Sequence, residues 1–220
     1  MRHGSINLCA ALLVVCATAV YATPRAQREF DYVLRRTPDP MNGAEIYQTC
    51  AACHGVDGSG TSDGAVPALG GQVFTVIAKQ LVDFRVRARV DERMAHFTDV
   101  RHLAYSQDIA DVAAYISTVL KPREWRVLSG DLAAGGAAIY SRECERCHRA
   151  VAEGDEDTLV PRLGGQRHGY ILSQLTAPAK RRPAMHQAHK AFQSRLTQED
   201  VRALATYLSG DDPDQREHSR

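Results

Sequence analysis

Cys50-Ala51-Ala52-Cys53-His54 and Cys144-Glu145-Arg146-Cys147-His148 are the stretches of this chain best equipped for chemistry. In each, two thiols fall one helical turn apart and an imidazole follows at once. A CxxCH pattern of this kind attaches a c-type haem: the thiols become thioethers on the porphyrin, and the histidine becomes the proximal ligand of the iron. A lone CxxC reads equally as a zinc site or a redox dithiol. The histidine in both copies, the duplication of the flanking residues and an export signal ahead of them select haem. Two covalent haems are therefore expected, on Cys50 with Cys53 and on Cys144 with Cys147, with His54 and His148 as axial ligands.

The other axial ligand must approach from the opposite face of each porphyrin. Methionine sulfur is a common choice and raises the reduction potential relative to a second imidazole. Beyond the leader the methionines are Met41, Met94 and Met185. Met41 precedes the first motif, whereas Met94 and Met185 fall one per repeat, in otherwise polar segments. They are the expected ligands, with His96, His102, His186 and His189 as alternatives. If both irons are six-coordinate, neither has an open position, and the expected chemistry is one-electron transfer without catalytic residues.

The elements that must hold these groups repeat with them. Gly43-Ala44-Glu45-Ile46-Tyr47 is answered by Gly136-Ala137-Ala138-Ile139-Tyr140, and the paired glycines predict a close crossing by another helix. Asn42 is the expected cap of the first helix. Pro67-Ala68-Leu69-Gly70-Gly71-Gln72 returns as Pro161-Arg162-Leu163-Gly164-Gly165-Gln166, 94 positions on, the same offset that separates Cys50 from Cys144. Ile77, Gln80, Leu81 and Phe84, and in the second copy Ile171, Gln174 and Leu175, form helical faces, the latter cut short by Pro178. Each repeat closes with an amphipathic helix: Ile109, Val112, Ala113 and Ile116 match Val201, Leu204, Ala205 and Leu208, and Thr197 with Asp200 resembles a capping box.

Period-2 alternation is scarce, so an all-α chain of two small domains is expected, each completed by its porphyrin. Residues 1–22 read as a secretory signal cleaved after Ala22. Residues 23–40 form a polar, exposed arm, 41–120 the first domain, 121–131 a linker with Trp125, 132–210 the second domain, and 211–220 a polar tail. No segment of the mature chain is apolar enough to span a bilayer. Of the six cysteines, Cys9 and Cys16 lie in the leader and the rest belong to the motifs, so no disulfide framework remains.

These residues resemble the dihaem cytochrome c4 family, from Asn42 to Gly210. The likeness is carried by both CxxCH motifs, both Pro-x-Leu-Gly-Gly-Gln loops, Lys79 to Arg85, and Asp108 to Ile116 with their second-repeat partners. It implies two tandem class I cytochrome c domains in the periplasm, passing electrons towards oxidases or other acceptors. It also implies that the carbonyls of Pro67 and Pro161 receive the hydrogen bonds of the proximal histidines. Leu69 and Leu163 would support the haem pockets, and Tyr170 would lie near a propionate.

Charge names no partner: 27 basic residues face 26 acidic ones, and loss of Arg2 with the leader leaves 26 against 26. Thr158 to Gln198, however, contains no acid, and Arg162, Arg167, Lys180, Arg181, Arg182, Lys190 and Arg195 make it basic. It is a candidate docking face for an acidic redox partner. Nucleic acid is not expected for a near-neutral exported chain. The alternatives to a free carrier are a cytochrome subunit of a periplasmic oxidoreductase, such as a flavocytochrome sulfide dehydrogenase, or a haem enzyme with one open iron.

Overall fold

A computed structural model describes residues 24–178 and 183–211, with only the backbone described at Pro24, at 183–186 and at Ala188. The leader with its cleavage point, Lys180 to Arg182 and the C-terminal tail from residue 212 lie outside the described residues. Among the described residues the architecture is all helical, without a sheet; one isolated bridge joins Asp155 to Val160. The first unit comprises α1 (Pro24–Leu34), α2 (Pro40–His54), α3 (Phe74–Arg85), α4 (Glu92–Phe97) and α5 (Ser106–Ala114), the last continuing through a π-helical turn, Tyr115–Val119. The second comprises α6 (Asp131–Glu143), α7 (Glu145–His148), α8 (His168–Thr176), α9 (Pro183–Gln193) and α10 (Gln198–Ser209).

The framework of each unit is the crossing of its first motif helix with its closing helix. A Cβ on Gly43 would lie 2.1 Å from the carbonyl oxygen of Asp111, and one on Gly136 would lie 2.1 Å from that of Ala203. No side chain fits at either contact, so α2 can meet α5, and α6 can meet α10, backbone against backbone. The amphipathic faces read from the sequence point inward. Ile109, Val112, Ala113 and Ile116 are buried in one core and Leu204, Ala205 and Leu208 in the other, and Val201 is buried as well. Thr197 and Asp200 cap α10 reciprocally, Asp200 N donating to Thr197 Oγ1 at 3.1 Å and Thr197 N to Asp200 Oδ2 at 2.8 Å. The end of α8 at Thr176, just before Pro178, follows from the clash that proline imposes on the turn before it.

Two expectations are corrected. The cap of α2 is Asp39 rather than Asn42: its carboxylate accepts from Met41 N at 2.9 Å and from Asn42 N at 3.4 Å. Pro40 at the first helical position holds the preceding residue extended, which is the conformation a cap needs. Asn42 instead donates through Nδ2 to the buried Asp111 carboxylate at 2.8 Å. The segment 23–40 is not an exposed arm, because it carries α1, whose Ala26, Phe30 and Val33 are buried in the first core. Glu29 of α1 is bonded to the Arg85 guanidinium. The charged residues of α1, Arg25, Arg28, Glu29 and Asp31, masked an apolar stripe at i, i+4 and i+7.

The linker is pinned at Trp125, whose Nε1 donates to Tyr207 O at 2.7 Å while the indole meets the Tyr207 ring edge-on.

Candidate haem centres and the loops behind them

Cys50, Cys53 and His54 occupy the last turn of α2. In the second unit the same residues span a break: α6 ends before Cys144, and α7 carries Cys147 and His148. None of the four motif cysteines is in a disulfide; Cys50 and Cys144 are partly buried, Cys53 and Cys147 exposed. Burial pushes the Cys50 thiol up to about 11 and the Cys144 thiol up to about 12.

His54 and His148 are both buried. The Nδ1 of His54 lies 3.1 Å from Pro67 O, and that of His148 lies 2.9 Å from Pro161 O. A carbonyl can only accept, so Nδ1 is the protonated nitrogen in each ring and Nε2 keeps its lone pair for a metal. Desolvation lowers the basicity of both imidazoles, which favours the neutral, ligating form. Two thiols beside an imidazole oriented in this way fit covalent haem in each unit.

The loops that orient the histidines are built alike. Gly60 N donates to His54 O at 2.8 Å, and Gly154 N to His148 O at 3.1 Å. Leu69 N and Leu163 N close their loops on Gly58 O and Ala152 O, and both side chains pack against their cores. Tyr47 and Tyr140, read from the sequence only as apolar contacts, also act as struts: their hydroxyls donate to Gly55 O at 2.8 Å and Arg149 O at 2.5 Å. Each thereby fixes the residue directly after the proximal histidine.

Sequence reasoning missed how the two units join. Gln72 reaches across to Arg162, accepting from its N at 2.7 Å and donating to its O at 3.0 Å. Gln166 does the same to Ala68, at 2.8 Å and 2.9 Å. Since Gln72 corresponds to Gln166 and Ala68 to Arg162, the joint is its own mirror in the repeat. It clips together the two loops whose prolines hold the proximal histidines. The signal was a glutamine at the end of both loops, at matched positions of the two repeats.

Several residues singled out in the sequence lie at or near this joint. Tyr170 lies at the boundary of the units, its hydroxyl 2.7 Å from Arg89 Nη2. Arg167, expected on a basic docking face, instead donates to Ser59 O at 2.5 Å in the other unit. Arg162 Nε bonds to Gly164 O at 3.2 Å, and Arg195 pairs with Glu143 at 3.1 Å. Of the basic stretch, Arg167 is thus drawn to the first unit, Lys190 and Arg195 are exposed, and Lys180 to Arg182 lie outside the described residues.

Among the candidate distal ligands, Met94 is half-buried in α4, whose Arg93 lies close enough to act on His54. His96 and His102 pack on one another and on Phe97, and His96 is exposed. In the second unit the His189 ring stands 6.2 Å from that of His148, centre to centre. Met185 and His186 fall within α9, but their side chains lie outside the described residues.

Helical units that each present a buried imidazole and two thiols define a c-type haem protein, and the comparisons agree. A family model, Cytochrome c, matches residues 40–120 and again 133–210. Cytochrome c4 of Thiocapsa roseopersicina is 30% identical over 184 residues, covering 78% of this chain and 92% of the relative. The crystal structure of reduced recombinant cytochrome c4 from Pseudomonas stutzeri superposes with a TM-score of 0.65 at 25% identity, over 80% of this chain and all of that one. A thiosulfate dehydrogenase from Marichromatium purpuratum gives a TM-score of 0.62 at 28% identity, over 77% of this chain and 40% of that chain. The chain belongs to the cytochrome c4 family, as two tandem cytochrome c domains. Its paired cysteines imply two covalently bound haems, and it is a dihaem electron carrier of the cytochrome c4 kind.

Proposed function

We propose that this chain works in the periplasm, after removal of its leader at Ala22, as a diffusible one-electron carrier between redox proteins. Iron porphyrin bound at the two motifs supplies the one-electron couples. The protein binds each through Cys50 with Cys53 or Cys144 with Cys147, fixes the proximal imidazole through Pro67 or Pro161, and offers Met94 to the first iron. The observation that carries this reading is the glutamine joint, which holds the two proximal loops against each other. Two centres fixed in this way act as one unit that can accept an electron at one domain and release it from the other. With both irons held from both sides by side chains, no position would be left for a substrate. Redox proteins are the partners, and Lys190 and Arg195, both exposed, belong to the basic stretch that would meet an acidic one.

The purified holoprotein is expected to begin at Thr23, to carry two haems by mass, to elute without a companion and to exchange single electrons with partner redox proteins. Reduced protein is expected to bind no carbon monoxide. A mature chain with fewer than two haems, or turnover of a small molecule at an iron, would overturn the reading.

A second reading is favoured by one finding, the likeness to part of a larger thiosulfate dehydrogenase chain. In it the chain is an electron-accepting subunit held on a catalytic partner. Copurification with a stoichiometric oxidoreductase supports this version against the diffusible one.

A further inference from the structure

The two domains repeat each other closely on the proximal side of their histidines and diverge on the distal side. In the first unit the distal segment is the short helix α4, with Met94 half-buried and its histidines drawn into a cluster with Phe97. In the second it is the longer α9, on which Met185 and His189 stand one helical turn apart along the same face. The sequence put Met185 first and left His189 among the alternatives.

The His189 ring lies 6.2 Å from the His148 ring between centroids, with the planes inclined by 24°. An imidazole nitrogen sits about 2 Å from a metal it binds, and the ring centre lies roughly 1.1 Å behind that nitrogen, so two imidazoles on opposite sides of one metal place their centres about 6.3 Å apart. The observed separation of ring centres is close to that spacing. His148 directs its Nδ1 to Pro161 O at 2.9 Å, so the nitrogen it has for a metal is Nε2. On the other side, Phe192 meets the His189 ring edge-on at 5.3 Å and 83°, and Phe192 is itself buried. A buried aromatic ring against the distal imidazole limits its rotation.

We propose that His189, rather than Met185, is the distal axial ligand of the second haem, so that the chain carries one histidine–methionine haem and one bis-histidine haem. The inference rests on the dihaem reading above. Its consequence is asymmetry between domains that look duplicated. Methionine ligation raises a haem potential relative to bis-imidazole ligation, so the first haem is the resting place of the first electron and the second is the low-potential centre.

The test uses the full-length holoprotein, with two haems first confirmed by mass so that failure of the dihaem reading is seen separately. In the oxidised wild type, the far-red methionine-to-iron charge-transfer band is expected at the intensity of one haem, beside one bis-imidazole low-spin signal in electron paramagnetic resonance. His189→Ala is expected to abolish the bis-imidazole signal, retain the charge-transfer band and allow the reduced protein to bind one carbon monoxide. Met185→Leu is expected to leave both signals unchanged. A wild-type band at the intensity of two haems would overturn the proposal, as would a band halved by Met185→Leu. Should His189→Ala fail to mature, the wild-type band intensity alone decides.

Discussion

Removing the glutamine joint tests how the two domains are held together. Gln72 and Gln166 contribute two hydrogen bonds each across the boundary, four in all. A net worth of about 0.5–1.5 kcal/mol per hydrogen bond gives about 2–6 kcal/mol for the double variant Gln72→Ala, Gln166→Ala, and about half that for either single one. At the lower end this already shifts the docked-to-undocked ratio about thirtyfold. The domains would not separate entirely, because Arg167 to Ser59 O, Arg89 to Tyr170 and Thr75 to Glu156 O also cross the boundary. The assay is amide hydrogen exchange, since the N–H groups of Ala68 and Arg162 donate to these two side chains. Both amides are expected to lose protection while those within α5 and α10 keep theirs, and denaturant unfolding is expected to resolve into two transitions. Unchanged protection at Ala68 and Arg162, together with an unchanged midpoint, would refute the reasoning.

Other perturbations follow from the same contacts. Gly43→Ala or Gly136→Ala drives a methyl group into a backbone carbonyl of the crossing helix and is expected to cost about 1–3 kcal/mol or more, read as a lowered denaturation midpoint of the affected domain. Phe30→Ala removes the central side chain of α1 and is expected to cost about 3–5 kcal/mol in the first domain, leaving the unfolding of the second unchanged. Asp155 is held down to about 2, first by its hydrogen bond from Arg149 and then by the Thr158 amide. Because its folded pKa lies below the unfolded value of about 3.9, its contribution is complete above about pH 4 and is lost as pH falls through about 2. Exchange of the Thr158 amide is expected to accelerate over that window, and Asp155→Asn is expected to flatten the dependence.

The two cysteine pairs, their histidines, the repeat at 94 residues and the closing helices could be read from the chain alone, because each rests on local spacing. A thiol at i and i+3, or an apolar stripe at i, i+3, i+4 and i+7, carries its meaning within one or two turns. The glycine crossings were visible for a related reason: a glycine at matched places in two repeats implies a close neighbour, although not which one. The packing of α1 was hidden, since its apolar stripe is short and lies among charged residues, and what buries it is the core of residues far along the chain. The partnership of Gln72 with Arg162 and of Gln166 with Ala68, the turn of Arg167 into the first unit, and the 6.2 Å approach of His189 to His148 had no counterpart in spacing. Each joins groups that come together only when separately folded helices dock. The covalent chemistry is therefore written in a few adjacent residues, whereas domain pairing and the surroundings of each iron depend on how distant segments pack.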